Sequence, residues 1–244
     1  MIKVAIIGYG KMGKAIENVI EKDYAGAMEV LYRIDETNTE LLEKENLSKA
    51  DVAIEFTAPH VAVENIKRCF EANVPVVVGS TGWYAQLEEI KTLCANKNQA
   101  IFYASNFSIG VNIFFEINKV LARLMNAHPQ YQVKLTEIHH TEKKDAPSGT
   151  GITLAEGVLG EISRFENWVN QETDKANELP IISLREPHVP GTHLVEYNSE
   201  IDVIKIEHTA HSRLGFAQGA AAAAHFLAGK VGVFEMKDLL KFHN

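Results

Sequence analysis

Apolar and polar positions along the 244-residue chain fall into two stretches with different rhythms. Through the first hundred residues, short apolar runs alternate with helical patterns. Lys3–Ile7 is mostly apolar, the signature of a strand covered on both faces. Lys14–Lys22 is helical, and Glu29–Ile34 reads as a second strand that ends at Asp35. Asp51–Phe56, Val74–Val78 and Ala100–Ala104 read as further strands, with helical patterns at His60–Ala72 and Tyr84–Lys97 between them. Such alternation predicts a parallel sheet with helices on both faces.

The rhythm then changes. Asn112–Met125 predicts a long apolar helix. Gln132–His139, Ile181–Arg185, His193–Tyr197 and Asp202–His208 are strand-like, and only Thr150–Ile162 is clearly helical among them. This predicts a mixed or antiparallel sheet and therefore a second domain. The polar stretch Asn167–Glu178 is expected to be an exposed connection. Gly215–Gly229 is a small-residue helix which, with Phe234–Leu240, is expected to pack back on the first domain.

Composition narrows the function. A net charge of -8 argues against a nucleic-acid partner, whose footprint is basic. It leaves room for a small anionic substrate, because local charge can oppose the net sign. The two cysteines, Cys69 and Cys94, have no metal or redox spacing and read as buried free thiols, which suits a reducing, cytoplasmic setting. Gly8, Gly10 and Gly13 interrupt the first twenty residues, so no signal peptide is expected, and no apolar run is long enough to span a membrane.

Gly8-Tyr9-Gly10-Lys11-Met12-Gly13 spells G-x-G-x-x-G between a strand and a helix. The first glycine permits the tight turn, the second admits a pyrophosphate to the backbone, and the third allows close helix packing. Asp35 lies about 20 residues on, where a carboxylate would meet the adenosine ribose. The expected fold class is therefore α/β, with an N-terminal Rossmann dinucleotide-binding domain formed by 1–108 and 215–244. Residues 109–214 are expected to form an α+β domain with a mixed sheet. Asp35 and Glu36 disfavour a 2′-phosphate, whereas Arg33 and Lys11 favour one, so the cofactor reads as NADH with possible dual use of NADPH. Gly79-Ser80-Thr81-Gly82 could lie against a nicotinamide ribose and Ser105-Asn106-Phe107-Ser108 could reach the nicotinamide, with ordinary turn chemistry as the alternative.

The densest chemistry lies in Glu137-Ile138-His139-His140-Thr141-Glu142-Lys143-Lys144-Asp145-Ala146-Pro147-Ser148-Gly149-Thr150. His139 and His140 adjoin on a strand and so point to opposite faces. Histidine titrates near neutrality, and lysine donates protons and pairs with anions. Ser148-Gly149-Thr150 at a helix start offers backbone N–H groups to a carboxylate. A plain helix cap and a solvated lysine loop are the bland alternatives. His188, His193, His208 and His211 are scattered and read as structural or surface residues, and no convincing metal-ligand spacing is present.

This segment resembles the signature of the dihydrodipicolinate (4-hydroxy-tetrahydrodipicolinate) reductase family. The similarity extends to the glycine loop, Asp51–Thr57, Gly79–Gly82, Asn106–Asn112 and Ser212–Ala220. The resemblance implies NAD(P)H-dependent reduction of a small dicarboxylate substrate in the diaminopimelate–lysine pathway by a homotetramer assembled through the second domain, and it implies that this domain, residues 109–214, is the substrate-binding domain. It implies His139 as proton donor/acceptor and Lys143 as proton donor. It also implies His140, Gly149 and Thr150 as carboxylate binders, with Asn106 and its neighbours bordering the nicotinamide. Lys11 stands where the family usually has arginine, and Glu36 falls where many members carry an arginine for the 2′-phosphate. Competing readings are another two-domain oxidoreductase acting on an amino acid, such as an aspartate dehydrogenase, and a non-catalytic NAD-sensing module.

Overall fold

The computed structural model describes residues 1–242. In chain order the elements are β1 (Ile2–Ile7), α1 (Lys11–Asp23), β2 (Met28–Ile34), α2 (Lys44–Leu47), β3 (Val52–Glu55), α3 (Pro59–Glu71), β4 (Val76–Val78), α4 (Leu87–Asn96) and β5 (Ala100–Tyr103). Then follow α5 (Ile109–Met125), β6 (Gln132–His139), α6 (Gly149–Leu159), β7 (Asn167–Val169), β8 (Glu178–Arg185), β9 (Thr192–Asn198) and β10 (Val203–Thr209). The tail contributes α7 (Leu214–Leu227), β11 (Gly232–Phe234) and α8 (Met236–Leu240). The chain divides into two compact units, one made of Met1–Ile109 with the segment from Leu214 onward, the other of Gly110–Arg213. Positions 243 and 244, included in the expected first domain, lie outside the described residues.

The first unit is a six-stranded parallel sheet in the order β11-β5-β4-β3-β1-β2. Strand order reverses at β1, which lies between β2 and β3, so the carboxyl end of β1 is the switch point where α/β sheets bind ligands. Helices cover both faces, as the strand–helix alternation predicts. On one face α1 and α7 pack with Val4, Ile6, Ile54 and Phe102. On the other, α3 and α4 pack with Ala5, Ile7, Val76 and Ile101. Alternate residues of one strand feed opposite cores, which is why these strands read as continuous apolar runs.

The small-residue helix α7 has a packing reason. Ala217, Ala220, Ala221, Ala223 and Ala224 are fully buried, which lets the helix axis approach the sheet closely. Gly219 is the extreme case: a Cβ there would lie 1.7 Å from the Phe107 carbonyl oxygen. The buried cysteines sit in the opposite core as free thiols, and burial pushes both upward from the usual thiol range.

The second unit is a mixed five-stranded sheet in the order β10-β9-β6-β8-β7. Its central strand β6 is parallel to β8 and antiparallel to β9. Val133, Leu135, Glu137 and His139 alternate as the buried face of β6, under α5 and α6. The expected exposed connection 167–178 is a partial correction. Asn167–Val169 adds a parallel edge strand to β8, which itself begins at Glu178. Trp168 packs against the domain core there, an anchor that a reading of the surrounding polar residues overlooks. Among the described residues, no helix is long and apolar enough to cross a membrane.

Candidate active site

The glycine loop leaves β1 at the switch point. Gly8 has a φ of 97°, and a Cβ there would lie 2.2 Å from the Phe56 carbonyl oxygen. Only glycine fits such a left-handed turn against a neighbouring backbone. A Cβ at Gly13 would meet the Gly8 carbonyl oxygen at 2.5 Å, so this glycine admits α1 to the loop. A Cβ at Gly10 would meet nothing within 4 Å. Two glycines are thus required by the protein's own backbone, and the middle one leaves open space at the start of a helix. That cradle fits a pyrophosphate, which helix N–H groups and the helix dipole favour.

The rest of the expected nucleotide site is less uniform. Asp35, at the end of β2, accepts hydrogen bonds from the Thr37 amide at 2.8 Å and its hydroxyl at 2.6 Å, which hold its carboxyl below the usual range. Glu36 is exposed. Arg33 is tied to Glu17 of α1, which also accepts from the Tyr9 hydroxyl in the glycine loop. Burial works to raise the Glu17 carboxyl, and the Tyr9 and Arg33 hydrogen bonds overcome it and leave it lowered. Lys11 is exposed at the helix start, and Met12 packs on the core.

Ser80 is buried, and its hydroxyl accepts from the Thr57 amide at 2.8 Å. Gly79 leaves room for the Phe56 ring, Thr81 is exposed and Ser105 is exposed beyond β5. Asn106 accepts from the Ser108 amide at 2.8 Å. The Phe107 ring lies in the core against Phe56 and Phe102. Its side chain is thereby fixed in place beside the loop.

In the second unit, sheet register assembles the chemistry. Opposite Glu137 of β6 stand Ser183 of β8 and His193 of β9, and opposite His139 stands Arg185 of β8. The start of α6 lies over this row. The Glu137 carboxylate is 1% exposed and accepts from the Ser148 amide at 2.9 and 3.0 Å. It also accepts from the Ser148 hydroxyl and from the Ser183 hydroxyl at 3.0 Å, with Arg185 at 3.8 Å. Ser148 caps α6, accepting from the Gly151 amide at 3.1 Å. His193 Nε2 lies 3.2 Å from the same hydroxyl. A hydroxyl has one proton, and here it goes to Glu137, so His193 must present Nε2–H.

His139 is buried at the end of β6, edge-on to His193 with ring centroids 5.0 Å apart. Burial lowers its pKa, Glu137 opposes this, and Lys143 and Arg185 add to the lowering. His140, just past the strand, is half-buried. Lys143 donates to Asp145 at 2.9 Å, and Arg185 braces the loop by donating to the Lys143 carbonyl at 3.3 Å and the Asp145 carbonyl at 2.6 Å. Gly149 is exposed and Thr150 half-buried in the first turn of α6.

Glu137, His139 and His193 place donor atoms within 4.8 Å of one another, a spacing a metal could use. The donor set does not suit one. The carboxylate oxygens already accept protein hydrogen bonds, and Arg185 and Lys143 add positive charge. The sequence reading left Glu137 without a role, set His193 aside and overlooked Ser183 and Arg185. Glu137 could have been found from alternation, because it shares a face with His139. His193 required the register of β9.

Two family models cover nearly the whole chain: "Dihydrodipicolinate reductase, N-terminus" matches residues 2–107 and "Dihydrodipicolinate reductase, C-terminus" matches 110–240. The chain belongs to the dihydrodipicolinate reductase family. A Christiangramia forsetii protein named 4-hydroxy-tetrahydrodipicolinate reductase is 44% identical over 242 residues, covering 98% of both chains. A protein of the same name from Methanoculleus marisnigri is 34% identical, covering 98% of this chain and 99% of its own. A dipicolinate-bound dihydrodipicolinate reductase from Paenisporosarcina sp. TG-14 shares the fold, with a TM-score of 0.77 at 23% identity over 96% of this chain and 97% of that one. The family is one of pyridine-nucleotide-dependent reductases with a Rossmann domain. Membership favours this reading over an aspartate dehydrogenase.

Burial holds His193 neutral, lowering its pKa from 6.5 to about 4. Between those values the unfolded chain takes up a proton that the folded protein refuses. Stability is therefore full above about pH 6.5 and falls as pH drops toward about 4, by on the order of 3 kcal/mol for this group. Urea unfolding at pH 7 and pH 5 should show the loss, and His193→Gln should reduce the difference between the two pH values. An identical pH dependence in both proteins would remove His193 as its source.

Proposed function

We propose that this protein is a 4-hydroxy-tetrahydrodipicolinate reductase of the diaminopimelate–lysine pathway. It would reduce its cyclic dicarboxylate substrate with loss of water. One observation carries the proposal beyond family membership: Glu137 and Lys143 both act on the buried His139, and the same Glu137 carboxylate holds the start of α6.

A bound reduced nicotinamide would supply the hydride. The protein's residues would do the rest. Gly8, Tyr9, Gly10, Lys11, Met12 and Gly13 would seat the pyrophosphate, with Gly10 giving the open approach. Asp35 would meet the adenosine ribose, and Gly79, Ser80 and Thr81 would border the nicotinamide ribose. Ser105, Asn106, Phe107 and Ser108 would border the nicotinamide. His140 and the backbone of Gly149 and Thr150 would bind the substrate carboxylates. Hydride addition to a conjugated imine leaves an electron-rich enamine that needs a proton. Lys143 would supply it and His139 would exchange protons beside it. Asp145 holds Lys143 before substrate arrives, and a dicarboxylate would compete for the same ammonium.

The cofactor reading leans to NADH, with NADPH as an alternative. Asp35 and Glu36 present negative charge where a 2′-phosphate would lie. The Glu17 carboxylate occupies Arg33, the cation that would otherwise favour that phosphate.

A homotetramer is also proposed. Ile113, Ile117, Val120 and Leu124 form an exposed apolar stripe on α5, opposite its buried face. A helix apolar on both sides ordinarily has cover on both. A cytoplasmic location agrees with the buried free thiols.

Three measurements test this reading. The first is nicotinamide oxidation with NADH and NADPH in parallel, with substrate generated from pyruvate and aspartate semialdehyde by a synthase. Substrate-dependent turnover is expected, and Lys143→Ala should lower kcat by roughly a hundredfold or more. Dinucleotide binding without any turnover would favour the sensor reading, and near-normal kcat in the variant would remove Lys143 from proton transfer. Second, Glu17→Gln should release Arg33 and raise the NADPH-to-NADH ratio of kcat/KM severalfold. The two dissociation constants should move in parallel with that ratio. An unchanged ratio would show that Arg33 does not reach the phosphate. Third, light scattering of the purified protein should give four times the 27.1 kDa chain mass, and a monomer mass would refute the assembly.

A further inference from the structure

The row Ser183–Glu137–His193 lies across three adjacent strands. Glu137 is the only charged member of that row, and the donors aimed at it come from different elements. Ser148 contributes both its amide and its hydroxyl from the start of α6. Ser183 contributes from β8 at 3.0 Å. His193 reaches the network from β9 through the Ser148 hydroxyl at 3.2 Å. The first turn of α6 rests directly on this carboxylate, since a Cβ at Gly151 would lie 2.6 Å from Glu137 Oε2. Glu137 is also two residues from His139 on the same buried face of β6.

We propose that Glu137 is a positioning residue for the reductase reaction: its carboxylate clamps the start of α6, the seat for a substrate carboxylate, in fixed register with His139. The inference rests on the reductase reading and adds a role to a residue that does not itself touch substrate.

The chemistry of the clamp requires a carboxylate. Both of its oxygens accept, and the groups facing it include a backbone N–H that cannot turn away. An amide in the same place has one accepting oxygen and an NH2 group that would face the Ser148 donors. Glutamine would keep the volume and weaken the clamp, because its NH2 takes one of the two accepting positions and the serine hydroxyl that donates there loses its acceptor. The first turn of α6 would then lose its fixed height above β6, and an anion seat displaced by a fraction of an ångström is a weaker seat. Aspartate would keep the charge but draw it back by one methylene.

Charge gives the clamp a second consequence. His139 is faced by Glu137 on its own strand, by Arg185 from β8, by His193 from β9, and by Lys143 and Asp145 from the loop after β6. Glu137 favours the protonated form of His139, whereas Lys143 and Arg185 oppose it. Neutralising Glu137 should therefore move the His139 titration to lower pH. A merely structural filler would leave that titration in place.

The test compares the full-length unsubstituted protein with Glu137→Gln, Glu137→Asp and Ser148→Ala. Calorimetry gives the dissociation constants of pyridine-2,6-dicarboxylate and of NADH, alongside KM, kcat and the pH profile. In Glu137→Gln the dicarboxylate constant and the substrate KM should rise about tenfold or more, the worth of one charge-assisted hydrogen bond. NADH affinity should stay within twofold, and the acid limb of kcat/KM should shift to lower pH. Glu137→Asp should recover part of the affinity. Ser148→Ala keeps the amide-to-carboxylate bond, so it should give a smaller rise of about threefold, and it serves if Glu137→Gln fails to fold. Dicarboxylate affinity within twofold of the unsubstituted protein in Ser148→Ala and in any folded Glu137 variant would overturn the proposal. So would a parallel loss of NADH and dicarboxylate affinity, the mark of general destabilisation. Failure of the unsubstituted protein to turn over substrate would instead sink the reductase reading.

Discussion

A carboxylate that is 1% exposed must be surrounded by donors, and satisfying Glu137 organises the whole end of the second unit. Its requirement explains why a serine begins α6, since only a residue with both an amide and a hydroxyl at that point can donate twice. It also explains a serine on β8 and a neutral imidazole on β9 at the matching register positions. Without donors, burial of the charge would cost several kcal/mol. The network therefore forms as a set, and the helix start, three strands and the buried histidines are fixed together.

The first unit solves a different problem with different materials. Its glycine loop is shaped by close approaches of backbone to backbone. Gly8 and Gly13 are held by close approaches to Phe56 and to each other. The same principle recurs beneath, where the alanine-rich α7 packs tightly on the sheet and Gly219 fits over Phe107. Close backbone packing leaves few soft degrees of freedom, so the loop that would meet an anion has its shape set before any ligand arrives.

Much of this was legible in the chain because period and glycine spacing are local signals. The parallel sheet, its two covered faces and the mixed second sheet all follow from patterns within a dozen residues. What stayed hidden depends on pairing between distant segments. Glu137 and His193 are 56 positions apart in sequence yet directly opposed across β6 and β9, and nothing near His193 announces it. Trp168 was similarly masked by polar neighbours on an edge strand. The packing of Phe107 was hidden in the same way: its ring completes an aromatic cluster with Phe56 and Phe102, which lie on other segments.

The pairing of Arg33 with Glu17 shows why charge counting around a nucleotide loop misleads. Arg33 and Lys11 balance Asp35 and Glu36 if each is given equal weight. The structure removes Arg33 from that balance, because Glu17 lies across from it on α1 and takes both Arg33 and the Tyr9 hydroxyl. The Glu17 hydrogen bond is the largest influence on the guanidinium and holds its charge more firmly. A guanidinium committed to an internal carboxylate must break that contact before it can meet a phosphate, so its contribution to 2′-phosphate affinity is reduced by the strength of the pair it leaves. Among the described residues, Asp35 makes no ion pair of this kind. Its partners are the neutral amide and hydroxyl of Thr37, and its negative charge remains uncompensated at the end of β2. A carboxylate one helix away thus alters the charge balance around the loop as much as the residues at the end of β2 do.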